Sequence, residues 1–104
     1  MKEKKLSPIH PGEILLDEFL RPMAIDQRKL AQDTNIPTMV INQIIRGKNP
    51  INANIALRLS KFFGIEPEFW LNLQNRYDLD LAEDQSAYRI EKEVKTFQME
   101  PCLA

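Results

Sequence analysis

The stretch DQRKLAQDTNIPTMVINQIIRG, residues 26–47, decides the fold. Asp26 is an N-cap residue type, and Ile25 before it with Leu30 after it has the spacing of a hydrophobic staple, so a helix opens here and runs through QRKLAQDT. Only a short "TNI" connection separates it from a following helix that begins at Pro37 or Thr38, reaches Ile45 and is stopped by Gly47 in the left-handed conformation. A connection this short makes the two helices cross steeply, which calls for a small side chain at the crossing, supplied by Ala31. The turn also needs one left-handed residue, and Asn35 is the non-glycine type that reaches that region most readily. Leu30, Ala31, Ile36, Ile41 and Ile44 then form the apolar contacts that hold one helix across the other.

At about 100° per residue, Ile41, Ile44 and Ile45 of the later helix gather on one side. Met39, Asn42, Gln43 and Arg46 fall on the other, flanked by Thr38 and Val40. The outward face therefore carries amide, thioether and guanidinium groups. Asn or Gln can bond adenine twice, Arg can bond guanine, and Met39 or the Thr38 methyl can lie against a thymine methyl in a major groove. Lys48, Arg58 and Lys61 are candidates for phosphate contacts. Gln27, at the start of the preceding helix, can hold a backbone oxygen with that helix's N-terminus. The pattern is a helix-turn-helix with a polar reading face.

The charge distribution agrees. The chain carries a net charge of −1, yet residues 35–61 contain no Asp or Glu. Residues 1–61 hold ten Lys/Arg against six Asp/Glu, and residues 62–104 four against nine, so the halves are oppositely charged. An acid-free window suits a surface held against a polyanion.

Working outward, glycine is scarce and apolar residues recur at three and four, so the chain reads as all-α. A first helix opens at HPGEILLDEFL with Pro11 at its first position and should stop before Pro22. His10 is expected to be a cap or turn residue. A fourth helix is capped by Asn52, buries Ile55, Leu59 and Phe62, and ends at Gly64. A fifth starts at EPEFWLNLQNRYDL and presents Phe69, Trp70, Leu73 and Tyr77 at helical spacing. From Asp84 onward Ala87, Ile90, Val94 and Phe97 predict a further helix with a narrow apolar seam, packed either on its own domain or on a second chain.

At 104 residues the chain suits one hydrophobic core. Its organisation is expected to be a flexible basic tail (1–8), a DNA-binding domain (9–82) and an acidic C-terminal helix and tail (83–104). No apolar run could cross a bilayer and MKEKKLSP lacks a signal-peptide apolar region, so a cytoplasmic protein with no membrane partner is expected. The lone Cys102 has no companion for a disulfide or a metal. With no HExxH, no phosphate-cradling glycine loop and one histidine, neither catalytic residues, metal nor cofactor are expected. The carboxylates Asp78, Asp80, Glu83 and Asp84 read as a solvated helix end.

HPGEILLDEFL, LAQDTNIP, IIRGKNPI, ALRLSKFFG and FWLNLQNRYDL, in this order over about residues 9–82, resemble the HigA family of antitoxins, also known as virulence-associated protein I. That family lies within the Xre and Cro class of helix-turn-helix regulators. The resemblance implies a five-helix, lambda-repressor-like domain plus the C-terminal helix, forming a homodimer on a palindromic double-stranded operator. It also implies autorepression and neutralisation of a HigB-type toxin, a messenger-RNA endonuclease. By position, the family's DNA contacts fall on Gln27, Thr38, Met39, Asn42, Gln43, Arg46 and Lys48. Relatives more often carry an Arg early in the third helix, extra basic residues after the glycine, and glycine in place of Asn35; the first two differences imply a lower phosphate affinity or a different operator. Two other readings remain: a stand-alone repressor without a toxin, and a protein-binding adaptor on a helix-turn-helix scaffold.

Overall fold

The helices that open at Pro11, Gln27 and Ala53 start at side chains that accept otherwise unpaired backbone N–H groups. His10 Nδ1 accepts from Gly12 N at 2.9 Å, Asp26 Oδ1 from Lys29 N at 2.8 Å, and Asn52 Oδ1 from Ile55 N at 2.9 Å. The computed structural model describes residues 8–98, and among these all regular structure is helical. α1 (Pro11–Ile14) continues as a π-helical segment (Leu15–Leu20), followed by α2 (Gln27–Thr34), α3 (Thr38–Ile45), α4 (Ala53–Phe63) and α5 (Pro67–Glu93). Residues 1–7 of the basic tail, residues 99–104 of the C-terminal segment and Cys102 lie outside the described residues.

The ends of α2, α3 and α4 follow a common device. Gly47 and Gly64 are left-handed at φ 75° and 77°, and Asn35 at φ 58° closes α2. At the end of α3, Lys48 N donates to Gln43 O at 2.8 Å and Gly47 N to Ile44 O at 3.0 Å, the paired bonds of a Schellman closure. The same pair recurs after the π-helical segment, where Ile25 N donates to Leu20 O and Ala24 N to Arg21 O, with Ala24 left-handed at φ 56°. Alanine in that region costs about 1–2 kcal/mol. The contact of Ile25 and Leu20 with the core accompanies it. The first helix does stop before Pro22, but its second half has the wider π pitch, with Arg21 N donating to Leu16 O. Pro22 has no N–H to give Glu18 and its ring would press on that carbonyl in a regular α-helix.

The core is built from Leu15, Leu20, Leu30, Ile41, Ile44, Leu59 and Trp70, all sealed from solvent or nearly so. Each such side chain contributes roughly 1.5–3 kcal/mol on burial. α2 packs on α3 and α4, α1 packs on α3 and α5, and α4 packs on α5. The two helices of the turn are thus held from behind by a frame of α1, α4 and α5. Gln74, buried on α5, accepts from Ile51 N at 2.8 Å and donates to Asp78 at 3.0 Å, anchoring the segment between α3 and α4.

α5 departs from expectation in two ways. It is continuous from Pro67 to Glu93, so no separate C-terminal helix begins near Asp84, and it ends before Val94, which is extended at φ −102°, ψ 125°. Val94 and Thr96 are β-branched and favour extended backbone. The seam expected through Phe97 therefore leaves the helix after Ile90. Nor does it fold back on its own domain, because Ile90, Val94 and Phe97 are 50%, 64% and 79% exposed. At 1.5 Å per residue the helix is about 40 Å long, which accounts for much of the molecule's 57 Å long axis.

Candidate nucleic-acid interface

The αL conformation of Asn35 closes α2 and turns the chain toward α3. Ile36 N donates back to Ala31 O at 3.2 Å, and the buried Ala31 leaves room for the crossing. Ile41 and Ile44 are fully buried, which fixes the rotation of α3 about its axis and turns the opposite face outward. Thr38, Met39, Gln43, Arg46 and Lys48 are exposed on or just after that face, Met39 to 70%. Asn42 is half-buried beside α2 and its amide nitrogen donates to Gln27 Oε1 at 3.3 Å. The structure thus brings together the seven residues picked out from the sequence, five exposed and two half-buried.

The N-terminus of α3 is capped by Pro37, which offers no side-chain acceptor. Its first N–H groups therefore stand free of a side-chain cap, on the positive end of the helix dipole. An open groove there is lined by Arg28, Gln32, Asn35 and Thr38. Arg28 was not among the expected contacts. Its spacing of four from Gln32, which puts both on one side of α2, was the available signal. The nearest acid on α2, Asp33, is held by Lys29 at 2.7 Å, an exposed pair that raises the Lys29 pKa through its hydrogen bond and charge.

Arg58 has a structural role beside the phosphate contact expected of it. Its guanidinium donates to the Thr34 carbonyl at 3.0 Å and to Asn54 at 2.7 Å, so it caps the C-terminus of α2 immediately before the turn. The carbonyls left free at a helix end attract a cation. Two of its five N–H groups are used within the protein, whereas Lys61, one turn further along α4, is exposed.

Behind the reading helix, Gly12 of α1 lies against the carbonyl of Ile44, and His10 packs over Gly47. His10 is buried, meets Tyr77 edge-on with ring centroids 4.8 Å apart, and bonds the Asn49 backbone. Burial pushes its pKa below 6.5, partly opposed by Asp78, Glu13 and the Asn49 bond. A neutral imidazole is required for Nδ1 to accept from Gly12, so protonation breaks the α1 cap. Because the unfolded chain takes up the proton first, the stability this residue contributes is complete above about pH 6.5 and declines as pH falls through that value. His10 is the chain's single histidine. Thermal midpoints at pH 7.5 and 5.5 should differ more in the native protein than in His10→Asn, which keeps an acceptor but cannot titrate; equal differences would contradict this assignment.

This geometry has counterparts among known proteins. A helix-turn-helix family model matches residues 18–70. The virulence-associated protein I of Dichelobacter nodosus is 42% identical over 81 residues, covering 78% of this chain and 75% of that protein. An addiction module antidote protein of the HigA family from Coxiella burnetii superposes with a TM-score of 0.84 at 47% identity, covering 88% of this chain and all of that one. The chain belongs to the HigA family of helix-turn-helix antitoxins. A further HigA-family structure, the Pseudomonas aeruginosa antitoxin HigA with the higBA promoter, has a TM-score of 0.84 at 38% identity, covering 88% of this chain and 99% of that one. The similarity thus extends from the turn to most of α5, well beyond the helix-turn-helix itself.

Proposed function

We propose that this chain is a dimeric, sequence-selective autorepressor and the antitoxin of a type II toxin-antitoxin pair, acting in the cytoplasm on a HigB-type messenger-RNA endonuclease. The observation that carries the DNA-binding part is the outward face of α3: Thr38, Met39, Gln43 and Arg46 exposed on a helix whose surrounding 27-residue window contains no carboxylate. Amide and guanidinium groups there match base-edge donors and acceptors, and the absence of acids removes repulsion from phosphate. The HigA antitoxin solved with the higBA promoter supports DNA binding by a chain of this fold. Lys48 and Lys61 are assigned to phosphates, as is Gln27.

The dimer is assigned to the C-terminal half of α5. Leu79 and Ile90 line one open groove of that helix with Ala82 and Ala87, and Leu79 is 65% exposed. Exposed i,i+4 pairs such as Arg76–Asp80 at 3.4 Å and Arg89–Glu93 at 3.5 Å add only about 0.3–0.5 kcal/mol each. A partner covering the apolar side supplies what the helix lacks. Two α3 helices would then enter successive major grooves about 34–36 Å apart. The acid-rich residues 62–104 offer complementary charge to a basic toxin.

Binding to DNA upstream of the chain's own gene is expected to weaken steeply between 50 and 200 mM salt. Arg46→Ala should lower affinity about 10-fold or more, while Gln43→Ala should relax preference at one base pair per half-site. Titration of labelled operator DNA measures both. No binding at low salt would refute the reading, and unchanged base preference in Gln43→Ala would refute that residue's role. Sedimentation equilibrium should return twice the 12.1 kDa chain mass, and Ile90→Asp should return the monomer; a native monomer would overturn the dimer assignment.

A further inference from the structure

We propose that His10 is a positioning residue for the reading helix: its neutral ring holds the end of α3 in place for DNA, and protonation of that ring weakens operator binding. This rests on the DNA-binding reading above. His10 is buried behind α3 and joins three parts of the fold. Its Nδ1 accepts from Gly12 N at 2.9 Å, at the start of α1. Its ring meets Tyr77 of α5 edge-on at 4.8 Å. It also lies against Gly47, where an added Cβ would stand 3.8 Å from the His10 Cγ.

Because Nδ1 accepts, the proton of the neutral ring sits on Nε2, which donates to the Asn49 backbone carbonyl. One imidazole thus ties the first turn of α1 to the segment that leaves α3. That segment begins with the closure in which Gly47 N donates to Ile44 O and Lys48 N to Gln43 O. The closure therefore hangs on the backbone of a reading residue and sets the place of Lys48, assigned above to phosphate. An imidazolium carries N–H at both nitrogens and accepts at neither. Its Nδ1–H would face the Gly12 N–H, so the ring must turn. The charged groups that face it are Glu13 of α1 and Asp78 of α5, while the segment after α3 presents the Asn49 backbone and Gly47. Asp78 already accepts from Gln74 Nε2 at 3.0 Å, and Gln74 Oε1 holds Ile51 N at 2.8 Å. A ring drawn to Asp78 leaves Gly12 and shares the carboxylate that orients Gln74. The anchors of the α3–α4 segment at Asn49 and Ile51 then shift together.

The test measures affinities of the full chain for its operator duplex and for a duplex of unrelated sequence from pH 7.5 to 5.5 at fixed salt. His10 is the chain's single histidine, so one imidazole NMR signal reports its titration over the same range. Operator affinity should fall on the order of 10-fold for a dimer carrying two such rings. The midpoint of that fall should coincide with the His10 titration, below pH 6.5, while binding to the unrelated duplex changes little. His10→Asn keeps an acceptor for Gly12 but cannot titrate, so its operator affinity should not vary across this range. Asp78→Asn keeps an amide oxygen for Gln74 and removes a charge that favours the imidazolium. It should move the affinity midpoint and the NMR titration together to lower pH, a shift that a merely structural role for Asp78 would not produce. An unchanged far-ultraviolet circular dichroism signal at pH 5.5 establishes that the fold is retained. A flat native profile with selectivity intact, a fall that persists in His10→Asn, or loss of helix in step with loss of affinity would each overturn this inference. So would affinity that rises on acidification, as a mere added positive charge near phosphate would cause. Absence of operator selectivity at pH 7.5 would instead overturn the DNA-binding reading.

Discussion

Replacing Gly12 by alanine is expected to cost about 3 kcal/mol or more, the upper range for overpacking a tight contact. A Cβ at Gly12 would fall on the Ile44 carbonyl oxygen and lie 2.6 Å from the carbonyl carbon, both backbone atoms of α3. Backbone cannot rotate aside as a flexible side chain can, so α1 and α3 must separate. The bonds at stake are specific: Ile44 O accepts from Gly47 N at 3.0 Å, which closes the end of the reading helix. Ile44 itself is fully buried, so displacing it opens the core. At roughly 4–8 °C per kcal/mol for a domain of this size, the thermal midpoint should fall by more than 10 °C. Operator affinity should fall with it even where the protein remains folded, because the contact lies directly behind Gln43 and Arg46. Circular dichroism melting with parallel DNA titration measures both, and a Gly12→Ala protein within 1 kcal/mol of the native stability would contradict the close approach.

Local features of this fold were legible because each is set within a few residues. Asp26 and Asn52 cap helices by bonding N–H groups three positions ahead, and Asn35, Gly47 and Gly64 are types suited to the left-handed region they occupy. The faces of α3 followed from periodicity, since three isoleucines on one side leave the polar residues no other place. Features that depend on distant partners were not legible. Arg58 looks like any basic residue until the Thr34 carbonyl, 24 positions away, is placed beside it. Gln74 shows its role only when Ile51 N, 23 positions away, reaches it. Ala24 carries no signal for positive φ, and its closure is imposed by the bonds from Ile25 to Leu20 and from Ala24 to Arg21. The continuity of α5 was hidden because DLAEDQSAYR reads equally well as a helix end or a helix middle. Gln27 and Asn42 were each recognisable singly, but their contact needs the crossing angle of two helices.

Trp70→Ala should be the most damaging change away from the reading face, at about 3–5 kcal/mol. The indole is completely buried and stands among Phe19, Phe63 and Phe69 at centroid distances of 5.1, 5.9 and 5.0 Å. It thereby joins the π-helical segment, α4 and α5, the frame that backs the helix-turn-helix. Domains of this kind are stable by only about 5–15 kcal/mol, so the loss takes a large share of that margin. Trp70→Phe separates packing from polarity. Its indole N–H finds no acceptor among the described residues, and a buried donor in that state costs about 1–3 kcal/mol. Phenylalanine removes that donor while keeping one ring against the three phenylalanines, so its cost should be well below that of alanine. Urea unfolding followed by far-ultraviolet circular dichroism measures the two variants without relying on the tryptophan itself. If Trp70→Phe were as costly as Trp70→Ala, the shape of the full indole would govern the frame, and relief of the unpaired donor would contribute nothing.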